Sequence, residues 1–104
     1  MLRGEVWWAN LPGPAGRRPV VLLMRDSAYD SRTSVTIAPI TRTIRQMPAE
    51  VPLGPEDGLP AKCIINLDDI TTITKSRLTS RITMLSRDKL NAVTTAVVYA
   101  LDLF

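Results

Sequence analysis

Apolar residues along this chain fall into short runs separated by proline and glycine, and only once do they recur at helical spacing. Residues 4–11 (GEVWWANL) are rich in β-branched and aromatic side chains and stop at Pro12-Gly13-Pro14, a stretch that no regular element crosses, so a strand and then a loop are predicted. Residues 19–25 (PVVLLMR) are almost wholly apolar after an opening proline, the signature of a central strand buried on both faces. The polar segment 26–34 reads as a turn. Residues 35–40 (VTIAPI) alternate, with Pro39 placing that end at an edge or a bulge. The segment 41–48 carries arginines without an apolar pattern and is predicted to be a mobile loop. Residues 61–67 (AKCIINL), 70–73 (ITTI) and 80–85 predict three further strands, with 50–53 as a brief additional one. Gly54-Pro55-Glu56-Asp57-Gly58 is a turn, and 75–78 a single helical turn.

The C-terminus is different. Ser86 is suited to cap a helix, with Asp88 in the first turn where the helix dipole favours a carboxylate. Leu90, Val93, Val97, Leu101 and Phe104 then follow at steps of three and four, predicting one apolar face against the core. Val98 and Tyr99 widen that face beyond what one small sheet covers, which leaves a role in a homodimer open. About six short strands and a terminal helix predict a mainly β domain spanning 1–104, a small, strongly curved sheet or barrel capped by the helix.

Composition narrows the chemistry. With 45% hydrophobic and 22% charged residues, the chain has the balance of a folded domain, and no run approaches the roughly 20 apolar residues of a membrane span. The first residues lack the apolar core of a signal peptide, so a cytoplasmic location is expected. A single cysteine, Cys63, lies in an apolar run and reads as a small buried hydrophobe. The absence of histidine removes imidazole-based nucleophiles, acids and metal ligands. The net charge is a modest +3, but from Arg17 to Arg45 six arginines face only Asp26 and Asp30. That favours an anionic partner, because the guanidinium fork suits phosphate.

Three segments collect polar groups beside apolar strands. Gly16-Arg17-Arg18-Pro19 holds at least one guanidinium at the rim of the sheet. Thr41-Arg42-Thr43-Ile44-Arg45 alternates hydroxyls with arginines, as a phosphate cradle would. Asn66-Leu67-Asp68-Asp69 pairs two carboxylates, an arrangement that can bind Mg²⁺ but more often caps a turn or faces solvent.

Together these segments resemble a known family. Arg3-Gly4-Glu5-Val6-Trp7-Trp8, Gly16-Arg17-Arg18-Pro19-Val20-Val21-Leu22 and Ile37-Ala38-Pro39-Ile40-Thr41 are similar in order and spacing to motifs of MazF/PemK/Kid-type toxins. So are Ile73, Arg77-Leu78-Thr79 with Arg81-Ile82, and the final amphipathic helix. The resemblance implies an SH3-like barrel of antiparallel strands with a C-terminal helix, a homodimer, and a small antitoxin protein as partner. It also implies a ribonuclease that cuts single-stranded RNA at short sequences with no metal or other cofactor.

On this resemblance the catalytic residues are Arg18, Thr41 and Asp68. The 2′-hydroxyl of a ribose attacks the adjacent phosphorus and the 5′-oxygen departs. Arg18 would stabilise the charge developing on the non-bridging oxygens, with proton transfer to the leaving group left open. Thr41 would orient the same phosphate. Asp68 is the candidate base if it is desolvated; orienting Arg18 or a turn is an equally good reading. RNA contacts are expected from Arg17, Arg32, Arg42, Arg45, Arg77 and Arg81, with Asn66 contributing amide hydrogen bonds where some relatives carry arginine. Of Trp7 and Trp8, one should pack into the core and the other be partly exposed. The 12–16 loop is shorter than in many family members and lacks their glutamate. A non-catalytic SH3-like module binding RNA or a partner is the rival reading; it would keep the basic face without needing Arg18 beside Thr41.

Overall fold

The structure, a computed structural model, describes all 104 residues. Seven strands form one antiparallel sheet: β1 (Glu5–Leu11), β2 (Gly16–Leu22), β3 (Ser34–Thr41), β4 (Glu50–Leu53), β5 (Cys63–Asn66), β6 (Thr71–Thr74) and β7 (Leu78–Met84). The helix α1 (Arg87–Ala100) follows. Strand order is β4-β5-β3-β2-β1-β7, with β6 also on β3. The two ends of this path are not joined, so the SH3-like barrel is an open one. It is mainly β with a C-terminal helix, as the alternating runs imply.

β3 explains both the curvature and its own proline. Residues 34–37 pair with β6, whereas Ile40 and Thr41 pair with β5. Pro39, which has no N–H to give a ladder, lies where the strand changes partners. The strand is therefore central, which removes the edge from the two expected placements, an edge or a bulge: the proline sits at a local gap in pairing on one side. The same physics revises β2. It begins at Gly16, three residues before the expected Pro19, because β1 pairs with it over residues 16–21 while β3 joins only from Val20. Pro19 and the two arginines thus lie on a strand with a neighbour on one side. Beyond them the groove opens.

Two apolar clusters fill the fold. Val6, Val21, Ala38, Ile40, Val51, Ile65, Leu67 and Val93 belong to the one under the helix. Ala9, Val20, Leu22, Tyr29, Val35 and Ile37 belong to the other, which Trp7 packs against. The helix starts as expected, with Ser86 Oγ accepting from Lys89 N at 3.2 Å. Its buried face is shifted, however: Val93 and Ala96 are buried, Leu90, Val97 and Ala100 partly so, while Leu101 and Phe104 are exposed. The helix ends at Ala100, so the last two residues of the expected stripe never reach the core. Gly4 allows the close approach of helix and sheet. Its φ is +91° and a Cβ there would come within 2.5 Å of Leu90 Cδ2.

No helix is long and apolar enough to cross a membrane.

Candidate active site

Arg18 lies on β2 opposite Ala9 of β1, and Thr41 is the last residue of β3. Both are half-buried and line one groove, where β2 and β3 diverge. Three recesses meet at Arg18. The first, about 370 Å³, runs between Trp8, Arg17, Arg42, Pro60 and Cys63 and contains Thr41. The second, about 200 Å³, also contains Thr41; apart from Pro39 its lining is entirely polar, including Arg45, Glu50, Asn66 and Asp69. The third, about 490 Å³, lies on the far side toward Leu11, Asp68, Asp69 and Thr71.

The two central side chains are poised differently. Arg18 Nη2 donates to Ala15 O at 3.4 Å, a long bond, and its Nε is buried without a partner. A guanidinium so loosely tethered gains a partner by turning toward an anion. Thr41 Oγ1 accepts from Thr43 N at 3.2 Å, which fixes the oxygen and leaves its own proton to donate. Two donors of this kind lining one groove can bind a phosphate and hold its developing charge.

Of the other predicted residues, the groove gathers Arg17, Arg42, Arg45 and Asn66. The Arg17 guanidinium lies 4.2 Å above the Trp8 ring, a cation–π contact. Trp8 is thus the tryptophan of the groove, while Trp7 packs inward and donates Nε1–H to Glu5 at 3.1 Å. Asp68 borders the third recess with Arg18 but is exposed, not desolvated; its N–H donates to Asn66 Oδ1 at 3.0 Å, so its backbone closes a turn. Arg32, Arg77 and Arg81 are not among the residues lining the three recesses. Arg32 donates to Ser34 Oγ and Arg77 to Asn10 O, and Arg81 forms an ion pair with Glu5 at 3.0 Å. Their place along β6–β7 and the 26–34 turn separates them from residues that look equivalent in one dimension.

Two further acids line the groove: Glu50, which sequence reasoning missed, and Asp69, which it named only within a carboxylate pair. Glu50 opens β4 and Asp69 follows Asp68; the first looked like an ordinary strand residue, the second half of a carboxylate pair. Only the β4–β5 pairing, which sets Glu50 beside Asn66, brings them to Arg18.

Burial perturbs three groups, two away from the groove and one in its wall. At Glu5 burial disfavours the charged carboxylate, but bonds from Trp7, Leu2 N and Arg81 outweigh it and hold the group below its usual range. Burial pushes Tyr29 up to about 12. It also raises the Cys63 thiol, which keeps this groove-lining sulfur protonated and a poor nucleophile.

The chain matches the family model described as PemK-like, MazF-like toxin of type II toxin-antitoxin system over residues 2–101. It belongs to the PemK/MazF toxin family. Among curated MazF relatives, a probable endoribonuclease MazF5 of Mycobacterium tuberculosis is 39% identical over 101 residues, covering 96% of this chain and 92% of the relative. A solved structure of the Mycobacterium tuberculosis toxin MazF-mt6 superposes with a TM-score of 0.88 at 32% identity, over 94% of this chain and 96% of that one. A mycobacterial endoribonuclease in complex with its cognate antitoxin gives a TM-score of 0.89 at 28% identity, over 100% and 97% of the two chains. The open barrel and the groove at the β2–β3 divergence are therefore built on a MazF scaffold.

Proposed function

We propose that Arg18 and Thr41 form the scissile-phosphate site of this toxin, an endoribonuclease of a type II toxin–antitoxin system. One observation carries the reading: a loosely held arginine with an unpartnered Nε–H shares a groove with a threonine whose hydroxyl proton is free. Single-stranded RNA lies across the groove with one phosphate between them. The ribose 2′-oxygen bonds to phosphorus as the bond to the 5′-oxygen breaks, giving a cyclic phosphate and a free 5′-hydroxyl. Arg18 neutralises the two non-bridging oxygens, whose charge grows in the transition state, and Thr41 donates to one of them. Asp68, exposed in the free protein, borders the third recess with Arg18 and takes the 2′ proton only where bound RNA covers and desolvates it. The open groove lets water supply the proton to the leaving oxygen. Arg17, Arg42 and Arg45 hold flanking phosphates.

Residues 1–104 act as one toxin domain in the cytoplasm, as a homodimer, and are silenced by a small antitoxin protein. The exposed Tyr99, Leu101, Leu103 and Phe104 leave apolar surface for such contacts.

The test is cleavage of defined single-stranded RNAs by purified protein with EDTA present. Wild type should cut, and Thr41→Ser should retain far more activity than Thr41→Val, which keeps the shape but not the donor. A protein that cuts none of several sequences would be a binding module instead. Equal activity of the two Thr41 variants would remove the hydroxyl from the mechanism.

A further inference from the structure

The two recesses that share Arg18 and Thr41 differ in chemistry, and the smaller has the features of a base reader. Glu50 and Asn66 are direct cross-strand partners on β4 and β5, so their side chains stand side by side on one face of the hairpin. Both are held in place. Glu50 Oε1 accepts from Arg45 N at 3.1 Å. Asn66 Oδ1 accepts from Asp68 N, and its Nδ2 donates to Asp69 Oδ2, each at 3.0 Å. These bonds fix the amide orientation and leave one Nδ2–H free. They also leave Glu50 Oε2 and a further lone pair on Oε1 free. Glu50 and Asn66 therefore offer two adjacent acceptors and one donor, in a cavity of about 200 Å³ that Arg18, Thr43, Arg45 and Asp69 also line.

Guanine has the complementary edge. Its N1–H and N2–H₂ are adjacent donors and O6 is the neighbouring acceptor. Uracil presents a single donor between two acceptors, one of which would face a carboxylate oxygen. Cytosine presents one donor beside two acceptors, and adenine one amino group beside a ring nitrogen. Only guanine satisfies both carboxylate oxygens and the amide together. We propose that Glu50 and Asn66 make this toxin selective for guanine in a nucleotide flanking the scissile phosphate, Glu50 accepting from N1–H and N2–H₂ and Asn66 donating to O6. This deepens the reading of Arg18 and Thr41 as the phosphate site and rests on it.

A single-stranded RNA library randomised around the cut, cleaved in EDTA and sequenced at the new ends, tests the inference. Guanine should be enriched at one flanking position by about 5- to 150-fold over the other bases, the range of a good bidentate base contact. Glu50→Gln keeps an acceptor for Arg45 N but loses one of the pair, and should flatten that position alone. Replacing the guanine by inosine, which lacks the 2-amino group, should lower the wild-type rate; that arm needs no variant to fold. Arg18-dependent cleavage without guanine enrichment would overturn the proposal while sparing the phosphate site. So would a Glu50→Gln variant slowed equally on all sequences with an altered pH profile, which would make Glu50 the base. Absence of any Arg18-dependent cleavage would overturn the phosphate site and this reading with it.

Discussion

Replacing Arg18 by methionine separates function from stability, because the arginine contributes little to the fold that holds it. Its one hydrogen bond, at 3.4 Å to Ala15 O, contributes no more than ~0.5–1.5 kcal/mol. Against this stands a buried Nε–H with no partner, which costs ~1–3 kcal/mol. Methionine keeps most of the apolar stem packed on β2 and removes both polar terms. The balance is a gain of about 1 kcal/mol, equivalent to a rise in Tm of roughly 4–8 °C for a domain of this size. Activity should move the other way. Loss of one preorganised donor to a transition-state oxyanion lowers kcat by about 10²–10³, or ~2.7–4 kcal/mol. Urea or thermal denaturation at one fixed protein concentration gives the first quantity, and single-turnover cleavage of RNA gives the second. A variant that loses several degrees of Tm would show that Arg18 holds the fold. One that keeps more than a tenth of the rate would show that the phosphate is bound elsewhere.

Gly4→Ala should destabilise the fold by about 2–3 kcal/mol, combining a left-handed backbone worth ~1–2 kcal/mol with displacement of Leu90 Cδ2. Urea midpoints of Gly4→Ala, Leu90→Ala and the double variant check this: the two should be non-additive, since Leu90→Ala relieves the contact but not the φ. Tyr29 predicts an alkaline transition. The unfolded phenol ionises near 10 and the folded one at about 12, so its contribution is fully present below pH 10 and is lost as pH rises toward 12. Tyr29→Phe should remove that part of the pH dependence, and denaturation midpoints unchanged in shape between pH 9 and 12 would refute it.

How far the sequence reached can be traced residue by residue. Ser86 and the short alternating runs are local signals, and they located the helix start and the strands. Apolar periodicity overweights large side chains, so it favoured Leu101 and Phe104 where Ala96 and Ala100 meet the core. Pro19 reads as a strand start and Pro39 as an edge or a bulge because a proline lacks one hydrogen bond, yet each sits inside a strand at a place where one neighbour is absent. The site divides in the same way. Arg18 and Thr41 carry a pattern along the chain, whereas Glu50 gains its meaning only from the register that places it opposite Asn66. Arg32, Arg77 and Arg81 resemble Arg17 in composition, but side-chain direction and distance along the sheet give them other partners.

The placement of Arg18 and Thr41 on β2 and β3, with the proposed base-reading groups Glu50 and Asn66 on the β4–β5 hairpin, has a consequence for how such a toxin diversifies. The strands carrying the proposed phosphate contacts lie in the middle of the sheet order and tolerate little change. β4 ends the strand path and has a partner on one side only, so substitutions at Glu50 disturb few backbone bonds. Mutational drift can then retarget the cut to new sequences while the cutting itself is inherited intact. A cell could accumulate several paralogues from one ancestor, each disabling a different set of transcripts with the same two side chains.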